Sequence, residues 1–164
     1  MATGRSIQLT RQIGEHLVVA EPGRRGLIAA PFAGNVPLFD LIAADVCGRS
    51  IPVQVKAING PSWQFNVEKF LRVEVVDGLQ HVRGKVKLTM PNLICIFVLL
   101  RKTGNEEFYI LRMSDLQEHF ARTYVGGRRP RNPNSMHCAI WPRDLQQYKD
   151  QWEAVSKALA SSGA

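Results

Sequence analysis

The stretch Leu38-Phe39-Asp40-Leu41-Ile42-Ala43-Ala44-Asp45-Val46-Cys47-Gly48-Arg49-Ser50-Ile51-Pro52-Val53-Gln54-Val55-Lys56-Ala57-Ile58 decides how the chain is read. Leu38 to Ala44 and Ile51 to Ile58 are apolar strand formers, and Asp45 to Ser50 between them has the Asp and Gly of a tight turn. The spacing predicts a β-hairpin. Three polar side chains interrupt it: Asp40 on the first strand, Gln54 and Lys56 on the second. Alternate residues of a strand face opposite ways, so Gln54 and Lys56 share one face and Val53, Val55 and Ala57 the other. A turn centred on Cys47 sets Asp40 across from Gln54, with Lys56 one step along. Two readings of this cluster stay open. One is a structural ion pair of Lys56 with Asp40, completed by Gln54, since buried charges are normally paired. The other is a functional site, because such a pair is often no more stabilising than apolar replacements.

Upstream, Leu9, Ile13, Leu17 and Ala20 recur at helical steps, which predicts a helix over residues 7 to 26. Pro22 lacks a backbone donor, so that helix should end or kink near Ala20. Leu27 to Ala30 reads as a short strand and Pro31 to Pro37 as a loop. Downstream, Gly60, Pro61, Gly78, Gly84 and Pro91 break residues 59 to 92 into a long excursion with an edge strand near Val73 to Val76. Leu93 to Leu100 is the strongest buried strand, and Glu107 to Arg112 alternates as its partner. Ser114 is expected to cap a helix reaching about Tyr124. Arg143 to Ala160 reads as a last helix, capped by Asp144, with Leu145, Tyr148, Trp152, Val155 and Leu159 on one stripe. The pattern is mixed α/β, and 164 residues suit a single domain over residues 1–164.

Composition bounds the partners. Lys and Arg total 21 against 14 Asp and Glu, a net charge of +7 that favours a polyanion. The eight-residue apolar run Leu93 to Leu100 is too short to span a bilayer, so no membrane partner is expected. Met1 to Thr10 has no apolar stretch of leader length, and the three scattered cysteines form no Cys-x-x-Cys pair, so a reducing cytoplasm is the expected setting. No Gly-x-Ser-x-Gly, Walker-type or Rossmann glycine pattern is present, which removes support for serine hydrolases, NTPases and dinucleotide enzymes. Arg128, Arg129 and Arg131 cluster in one Gly- and Pro-rich loop, and Arg24 and Arg25 close the first helix. Such arginines suit contacts to a DNA backbone. Trp63 offers a base-stacking surface if exposed and a core residue if not.

A helix carrying Gly14-Glu15, then Asp40, then Gln54-Val55-Lys56 on the returning strand, resembles the PD-(D/E)xK nuclease superfamily. The layout is similar to its Holliday-junction-resolvase-type members, over about residues 9 to 58. The resemblance implies a restriction-endonuclease-like fold, a mixed β-sheet flanked by helices. It also implies a metal-dependent DNA endonuclease that hydrolyses phosphodiester bonds. The alternative is a catalytically inactive nucleic-acid-binding module on the same fold. By position Asp40 matches the superfamily's aspartate, Lys56 its lysine and Glu15 its helix glutamate. Gln54 stands where the superfamily usually has an acid, although Gln-x-Lys variants occur among its intron-encoded homing endonucleases. Pro37 lies three residues before Asp40, where the family often has proline nearer.

The ligand set so implied for Mg²⁺ or Mn²⁺ is Glu15, Asp40, the Gln54 amide oxygen and the Val55 carbonyl, hard oxygens all. Lys56 would orient the attacking water or stabilise charge on the phosphate. An amide in place of an acid lowers the expected metal affinity. A homodimer is expected, since cutting two strands suits two-fold symmetry.

Overall fold

The computed structural model of the chain describes residues 4–32, 38–124 and 131–162. In chain order the elements are α1 (Gly4–Gly23), β1 (Ile28–Pro31), β2 (Leu41–Ala44), β3 (Ser50–Ile58), β4 (Trp63–Asn66), β5 (Leu71–Val76), β6 (Leu79–Lys85), β7 (Ile94–Leu99), β8 (Glu107–Arg112), α2 (Met113–Thr123), β9 (His137–Ile140) and α3 (Glu153–Ser161). Contacts divide the chain into two compact units. The first is Met1–Trp63, Leu93–Leu111 and Trp141–Ala164, and the second is Gln64–Asn92 and Arg112–Ile140.

The first unit is a five-stranded sheet in the order β1-β2-β3-β7-β8, with α1 and α3 packed on β3. β1 with β2 and β2 with β3 run antiparallel, while β3 and β7 run parallel, so the sheet is mixed as expected. The β2–β3 register runs from Leu41↔Val53 to Ala44↔Ser50, every pair centred on Cys47. Asp45 builds the turn that sets it. Its carboxylate accepts the N–H groups of Cys47 and Arg49 and the Arg49 Nε, and Gly48 supplies the φ of 82°. β7 is buried along its whole length, which is why an unbroken apolar run was needed there. The core joins Leu41, Val53, Val55 and Ile96 of the sheet to Val18 of α1 and Val155 of α3.

Three local expectations are corrected. The buried face of α1 is Gly14, Val18 and Pro22, whereas Leu9 and Ile13 are exposed. A Cβ on Gly14 would collide with the Cβ of Ala57, so the helix meets β3 through its glycine and turns its larger apolar residues outward. The strand expected from Leu38 begins only at Leu41, because Leu38 has φ of 80°, and Asp40 therefore stands just before β2. The last helix is broken into a 3-10 turn over Pro142–Tyr148 and α3. Between them Lys149 bridges to Tyr109, Asp150 adopts φ of 55°, and the Asp150 N–H donates to the Phe108 carbonyl. Trp141 is the N-cap of the 3-10 turn, and its N–H donates to the carboxylate of Asp144 at the third position.

Beside that break lies a paired carboxylate. Glu107 accepts from the Tyr109 hydroxyl at 2.6 Å and from Lys149 Nζ and Arg101 Nε at 3.1 Å each. The tyrosine bond, then Lys149 and Arg101, hold the carboxyl at about 2 against burial that opposes them. Burial first, then the bond to Glu107, pushes Tyr109 up to about 12. A carboxyl with a lowered folded pKa stabilises the fold above its unfolded value of 4.5, and that stabilisation is lost as pH falls from there towards 2. Glu107→Gln is expected to lose about 2 kcal/mol at pH 7 and little near pH 2. Urea unfolding at both pH values measures this, and an equal loss at both would contradict it.

In the second unit β5 pairs antiparallel with β6, and a further two-stranded sheet joins β4 and β9. The excursion expected to hold one edge strand thus holds three strands. Phe65, Phe70 and Phe120 form its aromatic core. Buried Gln80 donates to the carbonyls of Pro133 and Ser135 and accepts from the Tyr124 hydroxyl, which satisfies its amide. The N-cap of α2 is Arg112 rather than Ser114, and its N–H donates to the carboxylate of Asp115 at the third helical position.

Candidate active site

The candidate site forms where β2 begins. Pairing between β2 and β3 starts at Leu41↔Val53, and just ahead of it the Asp40 N–H donates to the Val53 carbonyl at 2.9 Å. The next β3 amide on that edge, Val55 N–H, donates to Asp40 Oδ2 at 2.8 Å. The carboxylate therefore continues the ladder where the strand has stopped, and it is held at two points of β3.

Its other oxygen meets α1. Arg11 Nη2 donates to Asp40 Oδ1 at 2.8 Å, and Arg11 Nε donates to Glu15 Oε1 at 2.8 Å. One guanidinium thus spans the two carboxylates. Gly14 explains why Glu15 can be here, since the close helix–strand approach it permits carries the next residue to the rim of the sheet. The side chain of Arg11 is 53% exposed, whereas Glu15 is 20% and Asp40 12% exposed. The bond to Glu15 foremost, together with the charge of Asp40, raises the Arg11 guanidinium further above its ordinary value.

Gln54 and Lys56 flank Val55 on β3, both half-buried and on the face opposite Val53 and Val55. The Gln54 amide oxygen accepts from Cys95 Sγ at 3.9 Å, a weak contact from its neighbour on β7. The Lys56 carbonyl accepts the Trp63 indole N–H at 2.8 Å. Trp63 is buried against Phe97 and Tyr109, so it is a core residue and no surface for a base.

Arg24 and Arg25 both bind Glu21, at 2.9 and 2.6 Å, and Arg25 also lies 4.5 Å over the Trp152 ring. Glu21 is a half-buried anchor for these two arginines. Arg131 is exposed, while Arg128, Arg129 and Pro37 lie outside the described residues. By sequence the second unit has ten Lys and Arg against five Asp and Glu, so it carries +5 of the chain's +7.

Among the described residues no three His, Cys, Asp or Glu side chains gather as a metal group. Two carboxylates with one amide oxygen nonetheless fit Mg²⁺ or Mn²⁺, which accept one or two carboxylates and keep several waters. Glu15 and Asp40 already turn one oxygen each towards a single cationic group. Arg11 is the residue that sequence reasoning left aside. Its spacing of four from Glu15 was the available signal, because residues so placed meet on a helix surface.

No family model matches the chain, and no curated protein matches it in sequence. Its structure is similar to that of a bacterial homing endonuclease, I-Ssp6803I, with a TM-score of 0.56 and 16% sequence identity, over 97% of this chain and 99% of that one. No helix among the described residues is long and apolar enough to cross a membrane. The chain has a mixed α/β, nuclease-like fold, with Asp40 and Glu15 facing one another across Arg11 at the rim of its sheet.

Proposed function

We propose that the chain is a metal-dependent DNA endonuclease of the PD-(D/E)xK type in its Gln-x-Lys form. The observation that carries this reading is the convergence of Asp40 and Glu15 on one cationic group, in a fold similar to that of a homing endonuclease. Glu15 and Asp40 would hold Mg²⁺ or Mn²⁺, with the Gln54 amide oxygen and the Val55 carbonyl as neutral donors. The bound ion supplies charge neutralisation at phosphorus and a more acidic water. Asp40, locked by the Val55 N–H, keeps its other oxygen, the one Arg11 meets, fixed in place. The Lys56 ammonium orients the water or stabilises the negative charge that grows on the phosphate oxygens. Arg131, with Arg128 and Arg129, would grip the DNA backbone from the strongly basic second unit. Arg24 and Arg25 would do so only with the charge that Glu21 leaves them. A homodimer in the cytoplasm completes the reading.

The second reading is a nucleic-acid-binding module that no longer cuts. It is favoured by the neutral Gln54 at an acidic position and by Arg11 lying where a metal ion would sit. One assay separates them: cleavage of linear, nicked and branched DNA in Mg²⁺ and in Mn²⁺, with Asp40→Ala alongside. Metal-dependent cutting that Asp40→Ala abolishes is the expected result. Salt-sensitive DNA retention with no cutting in either metal would leave only the binding module.

A further inference from the structure

Arg11 makes a geometry that a surface ion pair does not require. Its Nη2 and Nε reach Asp40 Oδ1 and Glu15 Oε1, both at 2.8 Å, while Asp40 Oδ2 is taken by the Val55 N–H. On Asp40, the oxygen Arg11 holds is therefore the one left to bind a cation. We propose that Arg11 is a built-in counter-cation of this site, holding Glu15 and Asp40 together without metal and yielding Asp40 Oδ1 when a divalent ion binds. This rests on the metal-centre reading above and adds a control to it: Arg11 sets the metal concentration at which the site loads.

Charge and exposure both favour the exchange. Two carboxylates with one guanidinium keep a net charge of −1, which a divalent ion in its place would cancel. Arg11 is the exposed member of the trio, so its head group can swing into water while the two carboxylates stay half-buried on their elements. Glu15 sits beside the Gly14 contact with Ala57, and Asp40 is fixed to β3, so neither carboxylate must move far. Arg11 and the ion compete for the same oxygens, which makes their coupling unfavourable, and such couplings typically amount to 5–150-fold.

Two roles for Arg11 predict opposite signs. If it only props the carboxylates, removing it loosens them and metal binding weakens. If it competes, removing it tightens binding. Calorimetric titration with Mn²⁺, without DNA, should show Arg11→Gln binding about tenfold tighter than wild type, with Arg11→Lys in between because an ammonium cannot span both carboxylates. Asp40→Asn should lose the binding. Asp40-dependent Mn²⁺ binding that Arg11→Gln leaves unchanged or weakens overturns the competition and leaves the metal centre standing. Wild-type protein that binds no Mn²⁺, or binds it equally well as Asp40→Asn, overturns both. Arg11→Met, which keeps the stem without the charge, repeats the test should Arg11→Gln fail to fold.

Discussion

Asp40→Ala is expected to lower metal-dependent DNA cleavage by at least about a thousandfold while leaving DNA retention close to wild type. Two losses combine. The proposed metal site would lose its best-fixed oxygen, and removing one preorganised electrostatic partner commonly costs about a hundred- to a thousandfold in rate. The Val55 N–H also loses its acceptor, which costs about 1 kcal/mol of stability and leaves the sheet folded. Asp40→Asn separates the two effects, since an amide oxygen can still accept from Val55 but carries no charge for a metal. Lys56→Ala should lower cleavage about a hundredfold or more with Mn²⁺ binding retained, because in the proposed mechanism its ammonium would act on the phosphate and not on the ion. Rates measured under single-turnover conditions check both. Cutting by either variant at the wild-type rate would remove these residues from the chemistry.

Gly14→Ala should destabilise the protein although alanine is the better helix former. Its Cβ would overlap that of Ala57, and such overpacking typically costs about 1–3 kcal/mol, against about 1 kcal/mol regained in helix propensity. The structure can relieve the overlap only by moving α1 away from β3, which also draws Arg11 and Glu15 away from Asp40. The expected outcome is a fall in Tm of several degrees together with weaker Mn²⁺ binding. Ala57→Gly opens the space that the new methyl needs, so the double variant should recover both, a coupling that a double-mutant cycle reads directly. A neutral or stabilising Gly14→Ala would show that the close approach does not hold the site.

The hairpin was legible because its register is a local property. Turn chemistry at Asp45 and Gly48 and the alternation of Val53, Val55 and Ala57 suffice to pair Leu41 with Val53. The same alternation placed Gln54 and Lys56 on one face. The orientation of α1 was not legible, because a stripe of Leu9, Ile13 and Leu17 outweighs a lone glycine in any count of apolar residues. What turns the helix is a steric approach to Ala57, a residue far along the chain. The broken C-terminal helix failed for a related reason: its residues keep helical spacing, yet the bridge from Lys149 to Tyr109 and the Asp150 bond to Phe108 override it. In the site, Asp40 and Glu15 could be matched by position, but their shared partner could not. Arg11 beside Glu15 reads as an ordinary surface pair until Asp40 is brought within reach by the sheet.

The most direct test locates the ion itself. Crystals soaked in Mn²⁺ and measured at a wavelength where manganese scatters anomalously should show one strong peak at about 2.1–2.2 Å from both Glu15 and Asp40 carboxylate oxygens, with the Gln54 amide oxygen turned towards it and Arg11 moved off Asp40. A chain that binds Mn²⁺ elsewhere would contradict a metal centre built on Glu15, Asp40 and Gln54, and one that binds it there with the Arg11 bridge intact would contradict the competition alone.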